Sequence, residues 1–395
     1  MATISKRNKS YRIKVSCGYD CNGKQVVQSM TWTPKENMTE KQIQKELNRQ
    51  AVLFEEVCMK GLVTSSVKFE RFSEQWDEEY AKPRYKKVTY DKTGHVLKRI
   101  NKEIGHMRLD KITTRNVQTL IGKFLKGDKA HGYKPMSPKT VKNYISCMSS
   151  VMDYAVRMNL IADNPCKRAN LPSVKQTEKD CYTLDEAQEF IDTLLVKAPK
   201  VYQCYFLLAI YGGFRRAELC GLTWDNIDFE NQIVNVRKTL NYICGQGLQI
   251  DTPKTTKSER SLKLPAEIFV HLQALRDFYS DEEKRLLDAW TGDNDFVFKT
   301  AAGEPLSPQA PLSWLRKFCN REGLRYVNIH SFRHLNASLL ISNGVDVKTV
   351  QACLGHAQAS TTMNIYAHSL MEAQAKASEA VANSFTFTSK NKDQT

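Results

Sequence analysis

The chain contains 395 residues, of which 41% are hydrophobic, and its formal net charge is +15 at pH 7. A chain of this length suits two or three domains, each with its own hydrophobic core, and its apolar content excludes disorder over the whole length. No stretch approaches the roughly 20 apolar residues of a membrane span, and the polar N-terminus does not lead into a signal peptide. We therefore expect a multidomain cytoplasmic protein, without membrane contact, whose 11 cysteines stay reduced.

The positive charge is concentrated towards the N-terminus. Residues 1–64 carry a net charge of +5, residues 65–175 of +12 and residues 176–395 of −2. A basic part joined to a nearly neutral part favours nucleic acid as the partner of the basic part. A solvated lysine-rich surface without a partner is the alternative interpretation.

Residues 1–64 predict a small sheet packed against one helix. Residues 11–16 alternate between apolar and polar side chains, and residues 25–32 are rich in Val, Thr and Trp, so both segments are typical of strands. A turn at 18–23 connects them. A helix over 39–59 follows, with Thr39 as its N-cap.

Residues 66–172 predict a bundle of helices. Four aromatic residues recur at intervals of three or four and form one helix face, which we interpret as core packing: Phe69, Phe72, Trp76 and Tyr80. A second helix is predicted over 110–124. A third begins at Ser137-Pro138 and continues to about Met158, with Pro at the first helical position. The stretch 171–179 is typical of a linker.

Both N-terminal segments carry candidate DNA contacts. A two-stranded ribbon fits the major groove, which makes Arg12 and Lys14 candidates, although the hairpin could be purely structural. The early turns of the third helix carry Lys139, Lys142 and Asn143, side chains that suit phosphate and base contacts. A solvated basic face is the alternative for these three residues.

Residues 176–385 predict a further, mostly helical domain. The capping box Thr183-Leu-Asp-Glu186 marks the start of its first helix. Strand-like segments within 227–264 predict a small antiparallel sheet inserted among the helices. Residues 386–395 are polar and predict a flexible tail. The predicted fold class is therefore multidomain and mainly α, with small β-sheets.

The third domain carries an ordered series of chemical groups. Arg215 lies in Tyr211-Gly-Gly-Phe-Arg-Arg-Ala-Glu-Leu219, His330 precedes Arg333 by three positions, His356 follows Leu-Gly, and Tyr366 comes ten positions later. Cleavage of a phosphodiester without a metal requires fixed cations beside the non-bridging oxygens, a nucleophile and a proton donor. Arginine suits the first task because its planar fork donates two parallel hydrogen bonds and stays charged.

This series resembles the active-site pattern of the tyrosine recombinases, the phage-integrase family, in order, residue type and approximate spacing. The resemblance implies that Arg215 and Arg333 bind the scissile phosphate and that His356 donates a further hydrogen bond. It also implies that His330 assists proton movement and that Tyr366 is the nucleophile. Glu218 is expected to orient Arg215, and Arg216 is the variable neighbour of that arginine.

The family also places a lysine on a hairpin as general acid. The segment Pro253-Lys254-Thr-Thr-Lys257-Ser-Glu-Arg260 is such a hairpin by pattern, and Lys254 in Pro-Lys-Thr is the better match. Lys257 remains open as the alternative. The resemblance implies neither a cofactor nor a metal. His330 and His334 have the spacing of a zinc-binding pair, but the glutamate of the zinc-protease signature and a further ligand are missing from the sequence around them.

The resemblance extends to domains, partners and function. It implies an arm-site DNA-binding domain over 1–64, a core-site DNA-binding domain over 66–172 and a catalytic domain over 176–385. The implied function is integration and excision of a phage or conjugative transposon. The implied partners are double-stranded DNA, three further copies of the chain in a tetramer, an excisionase and a host DNA-bending protein. The rivals are a type IB topoisomerase-like enzyme, a non-catalytic DNA-binding regulator and a metal-dependent transposase.

Overall fold

The protein is described from a computed structural model, which covers residues 2–19, 25–35, 38–59, 67–128, 132–174, 181–251, 259–292 and 295–355. The chain divides into two compact units, Met1–Gln176 and Thr177–Thr395. None of the helices in the described ranges is both long and apolar enough to cross a membrane.

The first unit begins with a three-stranded antiparallel sheet, ordered β1-β2-β3, and one helix. Its elements are β1 (Thr3–Arg7), β2 (Ser10–Tyr19), β3 (Gln25–Trp32) and α1 (Glu40–Met59). Ile13 and Val15 of β2 are buried with Leu47 and Phe54 of α1, which confirms the predicted sheet and helix. The structure adds β1, whose five residues are all exposed and therefore show no apolar alternation. The turn predicted at 18–23 starts too early, because β2 continues to Tyr19.

The rest of the first unit is helical. Its helices are α2 (Phe69–Trp76), α3 (Lys82–Arg84), α4 (Lys87–Ile104), α5 (Thr114–Lys126) and α6 (Pro138–Arg157). Phe69, Phe72 and Trp76 of α2 are buried against α4 and α6, and Tyr80, just after α2, is partly buried against the same cluster, which confirms that this face packs in the core. The helix predicted over 110–124 was placed too early. Thr113 caps α5 through a capping box with Asn116, and the preceding residues form a separate 3-10 turn at Leu109–Lys111.

In the described part of the second unit, helices pack with two small antiparallel sheets. Its helices are α7 (Leu184–Lys197), α8 (Lys200–Tyr211), α9 (Arg216–Cys220), α10 (Ala266–Leu286), α11 (Ala310–Glu322), α12 (Ile329–Ser342) and α13 (Val347–Leu354). Its strands are β4 (Ile227–Asp228), β5 (Ile233–Val236), β6 (Thr239–Ile243), β7 (Gly247–Asp251) and β8 (Arg260–Lys263). The predicted strands are divided between a sheet β4-β5-β8 and a separate hairpin β6-β7.

Aromatic side chains from several helices form the centre of this second core. Phe190 of α7 and Phe206 of α8 lie 5.2 and 5.6 Å from the ring of Phe332 on α12. Phe318 of α11 packs against Phe190 at 6.1 Å. The predicted capping box at Thr183 and Glu186 starts α7. Because Phe332 lies in this core, α12 is fixed in position and carries its neighbour Arg333 with it.

Candidate active site

The first arginine lies at a tight turn between two helices. After α8 ends at Tyr211, Gly213 adopts φ of +56°, and Arg215 precedes α9. A Cβ atom at position 213 would lie 2.7 Å from Leu354 Cδ2 and 2.9 Å from Asn336 Oδ1. Only glycine satisfies both the left-handed backbone and this close approach.

Glu218 and the end of α13 hold Arg215. The Arg215 backbone N–H donates to Glu218 Oε2 at 2.8 Å, and its Nη1 donates to Glu218 Oε1 at 2.6 Å. Its Nη2 donates to the carbonyl oxygen of Gly355 at 2.7 Å. The side chain remains 33% exposed. Glu218 therefore orients Arg215 as expected and leaves it accessible to a ligand.

The second arginine of the motif is almost fully buried. Arg333 donates through Nη1 to the carbonyl oxygen of Gly213 at 2.7 Å and through Nη2 to that of Leu354. Its Nε has no hydrogen-bond partner within the described part of the chain. One turn further along α12, Asn336 donates to the carbonyl oxygens of Ile210 and Tyr211, both at 2.9 Å. Helix α12 thus binds the end of α8 at several points.

A third arginine, whose role the family motif did not predict, joins this cluster. Arg260, the first residue of β8, donates through Nη1 and Nη2 to the two oxygens of Glu218 at 3.1 and 2.9 Å. Its Nε donates to the carbonyl oxygen of Cys353 at 2.7 Å. A signal was present, because Arg260 alternates with Leu262 and Leu264, both buried, and so shares the inward face of the strand.

The three arginines contact three successive carbonyl groups. Arg260, Arg333 and Arg215 donate to the carbonyl oxygens of residues 353, 354 and 355, in that order. These groups lie at the C-terminal end of α13, where helix carbonyls lack intrahelical partners and the helix dipole is negative. Gly355 ends the helix with φ of +62°. The arginines therefore fix the backbone that leads directly to position 356.

Burial and charge oppose each other in this cluster. Burial by itself would raise the pKa of the Glu218 carboxyl, but the hydrogen bonds and charges of Arg260 and Arg215 hold that pKa below its ordinary value. Burial, aided by the charge of Arg215, lowers the pKa of Arg333 to about 9. The guanidinium is still protonated at neutral pH. An anion bound beside it would favour its charged form.

His330 lies at the start of the helix that carries Arg333. Its backbone N–H donates to the side-chain oxygen of Asn328, the N-cap of α12, at 2.9 Å. Its ring is exposed and meets the ring of His334 edge-on, with 5.0 Å between centroids. Within the described ranges, no group of three or more His, Cys, Asp or Glu side chains is arranged to hold a metal ion.

Comparison with known proteins decides the family. The model of the phage integrase family matches residues 181–373, and that of the phage integrase N-terminal SAM-like domain matches residues 68–125. Together the two matches span more than half of the chain. The chain belongs to the phage integrase family. It is a tyrosine recombinase, an enzyme that cleaves and rejoins DNA at specific sites in mobile elements.

Individual relatives agree with this assignment. The chain is 28% identical to a tyrosine recombinase XerC-like protein of Caldanaerobacter subterraneus subsp. tengcongensis, over 97% of this chain and 98% of that protein. It is 25% identical to the ICEBs1 integrase of Bacillus subtilis, over 59% of this chain and 62% of the integrase.

Two solved structures share the fold. The Tn1549 transposon integrase in complex with a circular intermediate DNA has a TM-score of 0.64 and 19% identity, over 78% of this chain and 100% of that one. The lambda integrase tetramer bound to a Holliday junction has a TM-score of 0.53 and 16% identity, over 91% of this chain and 94% of that one.

The structure describes three of the six predicted catalytic residues of this recombinase. Arg215 and Arg333 meet at the end of α13, and His330 lies one turn before Arg333 on α12. The other three lie outside the described residues: Lys254, His356 and Tyr366. Lys257 and the predicted tail at 386–395 also lie outside them.

The predicted DNA contacts lie on two elements of the first unit. Arg12 and Lys14 alternate with the buried Ile13 and Val15 on β2, so they lie on the sheet face opposite α1. Lys139, Lys142 and Asn143 lie on the first two turns of α6, which Ser137 caps and Pro138 begins. Lys139 and Asn143 are exposed, and Lys142 is half-buried.

We predict that Gly213→Ala destabilises the recombinase more than Gly323→Ala does. Both glycines have positive φ, 56° and 72°, but a Cβ at position 323 would have nothing within 4 Å. The left-handed backbone costs an alanine about 1–2 kcal/mol at either position, and the clash adds about 1–3 kcal/mol at position 213 alone. Urea unfolding of both variants measures the difference. Equal losses would mean that the close approach to Leu354 and Asn336 is unimportant.

We predict a pH-dependent effect for Glu218→Gln. The folded-state pKa of Glu218 is below its ordinary value of 4.5, so its stabilisation is complete above that pH and disappears as the pH falls through the folded-state pKa. The variant should lose about 3–5 kcal/mol of unfolding free energy at pH 7, because a buried ion pair is broken.

Urea unfolding at pH 7 and at acidic pH tests this expectation. The difference from wild type should shrink below pH 4.5. Asp281→Asn is the control, because this carboxylate is 81% exposed and lies 3.9 Å from Lys284. A Glu218→Gln deficit that stays constant with pH would contradict the assignment.

Proposed function

We propose that this recombinase integrates and excises a mobile element by transesterification at Tyr366. The observation that carries the proposal is the convergence of Arg215 and Arg333 at the end of α13. An arginine has five N–H donors, and the described contacts of each of these two side chains occupy two of its donors. The remaining donors of Arg215, whose side chain is 33% exposed, would bind the non-bridging oxygens of a scissile phosphate, and the nearby buried Arg333 would add its positive charge.

The proposed reaction has two transesterification steps. The Tyr366 hydroxyl attacks the scissile phosphorus, which forms a 3′-phosphotyrosyl bond and releases a 5′-hydroxyl. A 5′-hydroxyl of a second DNA then attacks this bond in the reverse sense and releases Tyr366. Each step exchanges one phosphoester for another, so the reaction requires no external energy source, cofactor or metal.

Each of the other residues has a defined task in this proposal. Arg215 and Arg333 stabilise the negative charge that develops on the phosphoryl oxygens, and His356 adds a hydrogen bond. Lys254 protonates the leaving 5′-oxygen, with Lys257 as the alternative donor. His330 assists proton movement at the nucleophile. Its exposure at the start of α12, one turn before Arg333, supports this task.

DNA binding is proposed for both parts of the first unit. The sheet over 1–64, with Arg12 and Lys14, would contact arm sites, and the helical bundle over 66–172 would contact core sites through Lys139, Lys142 and Asn143. The net charge of +17 within residues 1–175 supports both proposals. The catalytic domain would comprise residues 176–385.

The proposed assembly is a tetramer on two DNA sites. The lambda integrase structure, a tetramer on a Holliday junction, supports this part by its similar fold. An excisionase and a host DNA-bending protein are the further proposed partners. The proposed location is the cytoplasm, where the DNA of a bacterial element lies.

We predict that wild-type protein forms a covalent adduct with nicked DNA that spans the end of its element. The reaction contains EDTA, and a denaturing gel resolves the adduct. Tyr366→Phe should abolish the adduct while leaving DNA binding unchanged, because only the nucleophilic oxygen is lost. An adduct that persists in this variant would contradict the choice of Tyr366. Wild-type protein that binds the DNA but neither cleaves it nor forms an adduct, with Mg²⁺ or with EDTA, would favour the regulator. Cleavage that requires Mg²⁺ and leaves no adduct would favour a metal-dependent transposase.

We predict that a DNA substrate with sulfur in place of the bridging 5′-oxygen of the scissile phosphate identifies the general acid through its cleavage rate. Lys254→Ala should slow cleavage of ordinary DNA by about 10²–10⁴-fold, since the leaving oxygen is no longer protonated. In DNA whose bridging 5′-oxygen is replaced by sulfur, the leaving group is a thiol with a pKa of about 8.5, which departs as a thiolate without needing a proton. The cleavage rate of Lys254→Ala should therefore recover on this substrate. Lys257→Ala is the matched control and should show neither effect. The reverse pattern would assign the role to Lys257.

We predict that Lys139→Gln and Lys142→Gln each lower the salt dependence of DNA binding. Loss of one phosphate contact reduces the slope of log K against log salt by about 0.9. Fluorescence anisotropy across a salt series measures this slope, and Asn143→Ala should instead reduce discrimination between related sites. Lys284→Gln on α10 is the control. Unchanged slopes would mean that the start of α6 does not contact phosphate.

A further inference from the structure

Arg260 differs from the other two arginines of the cluster in what its guanidinium contacts. Its side chain is only 6% exposed, against 33% for Arg215. Two of its nitrogens grip both oxygens of Glu218, and the third binds the carbonyl oxygen of Cys353. All three nitrogens therefore bond to the protein itself, whereas Arg333 has a buried Nε without a partner in the described ranges.

The Glu218 carboxylate is shared between Arg260 and Arg215. Oε1 accepts from Nη1 of both side chains, at 3.1 Å from Arg260 and 2.6 Å from Arg215. Oε2 accepts from Arg260 Nη2 at 2.9 Å and from the backbone N–H of Arg215 at 2.8 Å. This carboxylate lies in a buried environment, where charges interact more strongly than in water.

The sharing determines how much positive charge the site offers to an anion. With Arg260 present, two guanidinium groups share one carboxylate, so Arg215, Arg260 and Glu218 together carry a net charge of about +1. Without Arg260, Glu218 would neutralise Arg215 alone, and that excess would disappear. Arg333, which binds backbone carbonyl groups, would then be the one arginine of the cluster whose charge no carboxylate in the described contacts balances.

We propose that Arg260 is a positioning residue for strand cleavage. By binding Glu218 and the carbonyl of Cys353 at once, it keeps the charge of Arg215 available to the scissile phosphate and fixes the turn before His356. Arg260 acts through these groups and does not touch the DNA. The inference rests on the proposed function, because cleavage at Tyr366 is its readout.

The test combines Arg260→Met with Glu218→Gln. Methionine keeps the apolar length of the side chain but removes its charge and its donors. We expect Arg260→Met to slow covalent cleavage of the nicked element-end DNA by about 10²-fold at saturating protein, as for loss of an oxyanion donor. DNA affinity, measured by anisotropy on the same duplex, should stay within about 2-fold of wild type, because Arg260 contacts protein.

The double variant separates charge balance from structural support. Removing the carboxylate together with Arg260 leaves Arg215 without a neutralising partner, and glutamine can still accept a hydrogen bond from it. Cleavage should therefore recover at least about 10-fold relative to Arg260→Met alone. The double variant should also fold, since removing both members of a buried pair is often close to neutral. A purely structural role for Arg260 predicts no such recovery.

The chain offers a matched control at another arginine. Arg325 grips both oxygens of Glu186, each at 2.7 Å, and donates to the carbonyl oxygen of Cys181 at 2.6 Å. Arg325 thus has the same kinds of partner as Arg260, one carboxylate and one backbone carbonyl, outside the arginine cluster. Arg325→Met, alone and with Glu186→Gln, should leave the cleavage rate within about 3-fold of wild type.

Three outcomes would overturn the proposal. These are cleavage by Arg260→Met within about 3-fold of wild type, equally slow cleavage by the single and double variants, and a loss of DNA affinity as large as the loss of rate. Absence of an adduct with wild-type protein would instead contradict the proposed function, and the same gel shows this separately.

Discussion

The site depends on the end of a short helix that three guanidinium groups hold at once. Arg260, Arg333 and Arg215 donate to the carbonyl oxygens of residues 353, 354 and 355. Burying the Arg260 and Arg333 guanidinium groups is costly unless their donors are paired, and the helix end, Glu218 and the Gly213 carbonyl provide most of the acceptors. Three elements of the second unit, α9, α12 and β8, therefore meet at one backbone segment.

The hydrophobic core supports this arrangement from behind. Phe332 packs against Phe190 and Phe206 while its neighbour Arg333 reaches the glycine turn, so one helix serves both the core and the site. Asn336 binds the carbonyl groups at the end of α8 and holds that turn in place. A core substitution that shifts α12 would displace Arg333 by the same amount, and in the proposed reaction an error of about 1 Å is enough to impair catalysis.

The two units differ in how their charge is distributed. The first 175 residues carry the excess of Lys and Arg, spread over exposed helix and strand faces, as expected of a part that grips DNA. The second unit is nearly neutral in total, yet two of its arginines, Arg215 and Arg260, bind the same buried carboxylate. Dispersed charge gives affinity, whereas fixed and partly desolvated charge can stabilise a transition state.

The sequence by itself determined the order of the family motif, the mainly α fold and the bounds of several elements, among them β3, α1 and α6. Helix α7 begins after its predicted cap at Thr183, and α6 begins at Pro138, because caps, prolines and apolar periodicity act over a few residues. It did not reveal β1, which has no buried face, or the role of Arg260. Only the tertiary structure decided that role, because Arg260 lies 42 residues from Glu218 and 93 from Cys353. Local patterns record which face of an element is buried, but the partner it meets there depends on how distant segments pack.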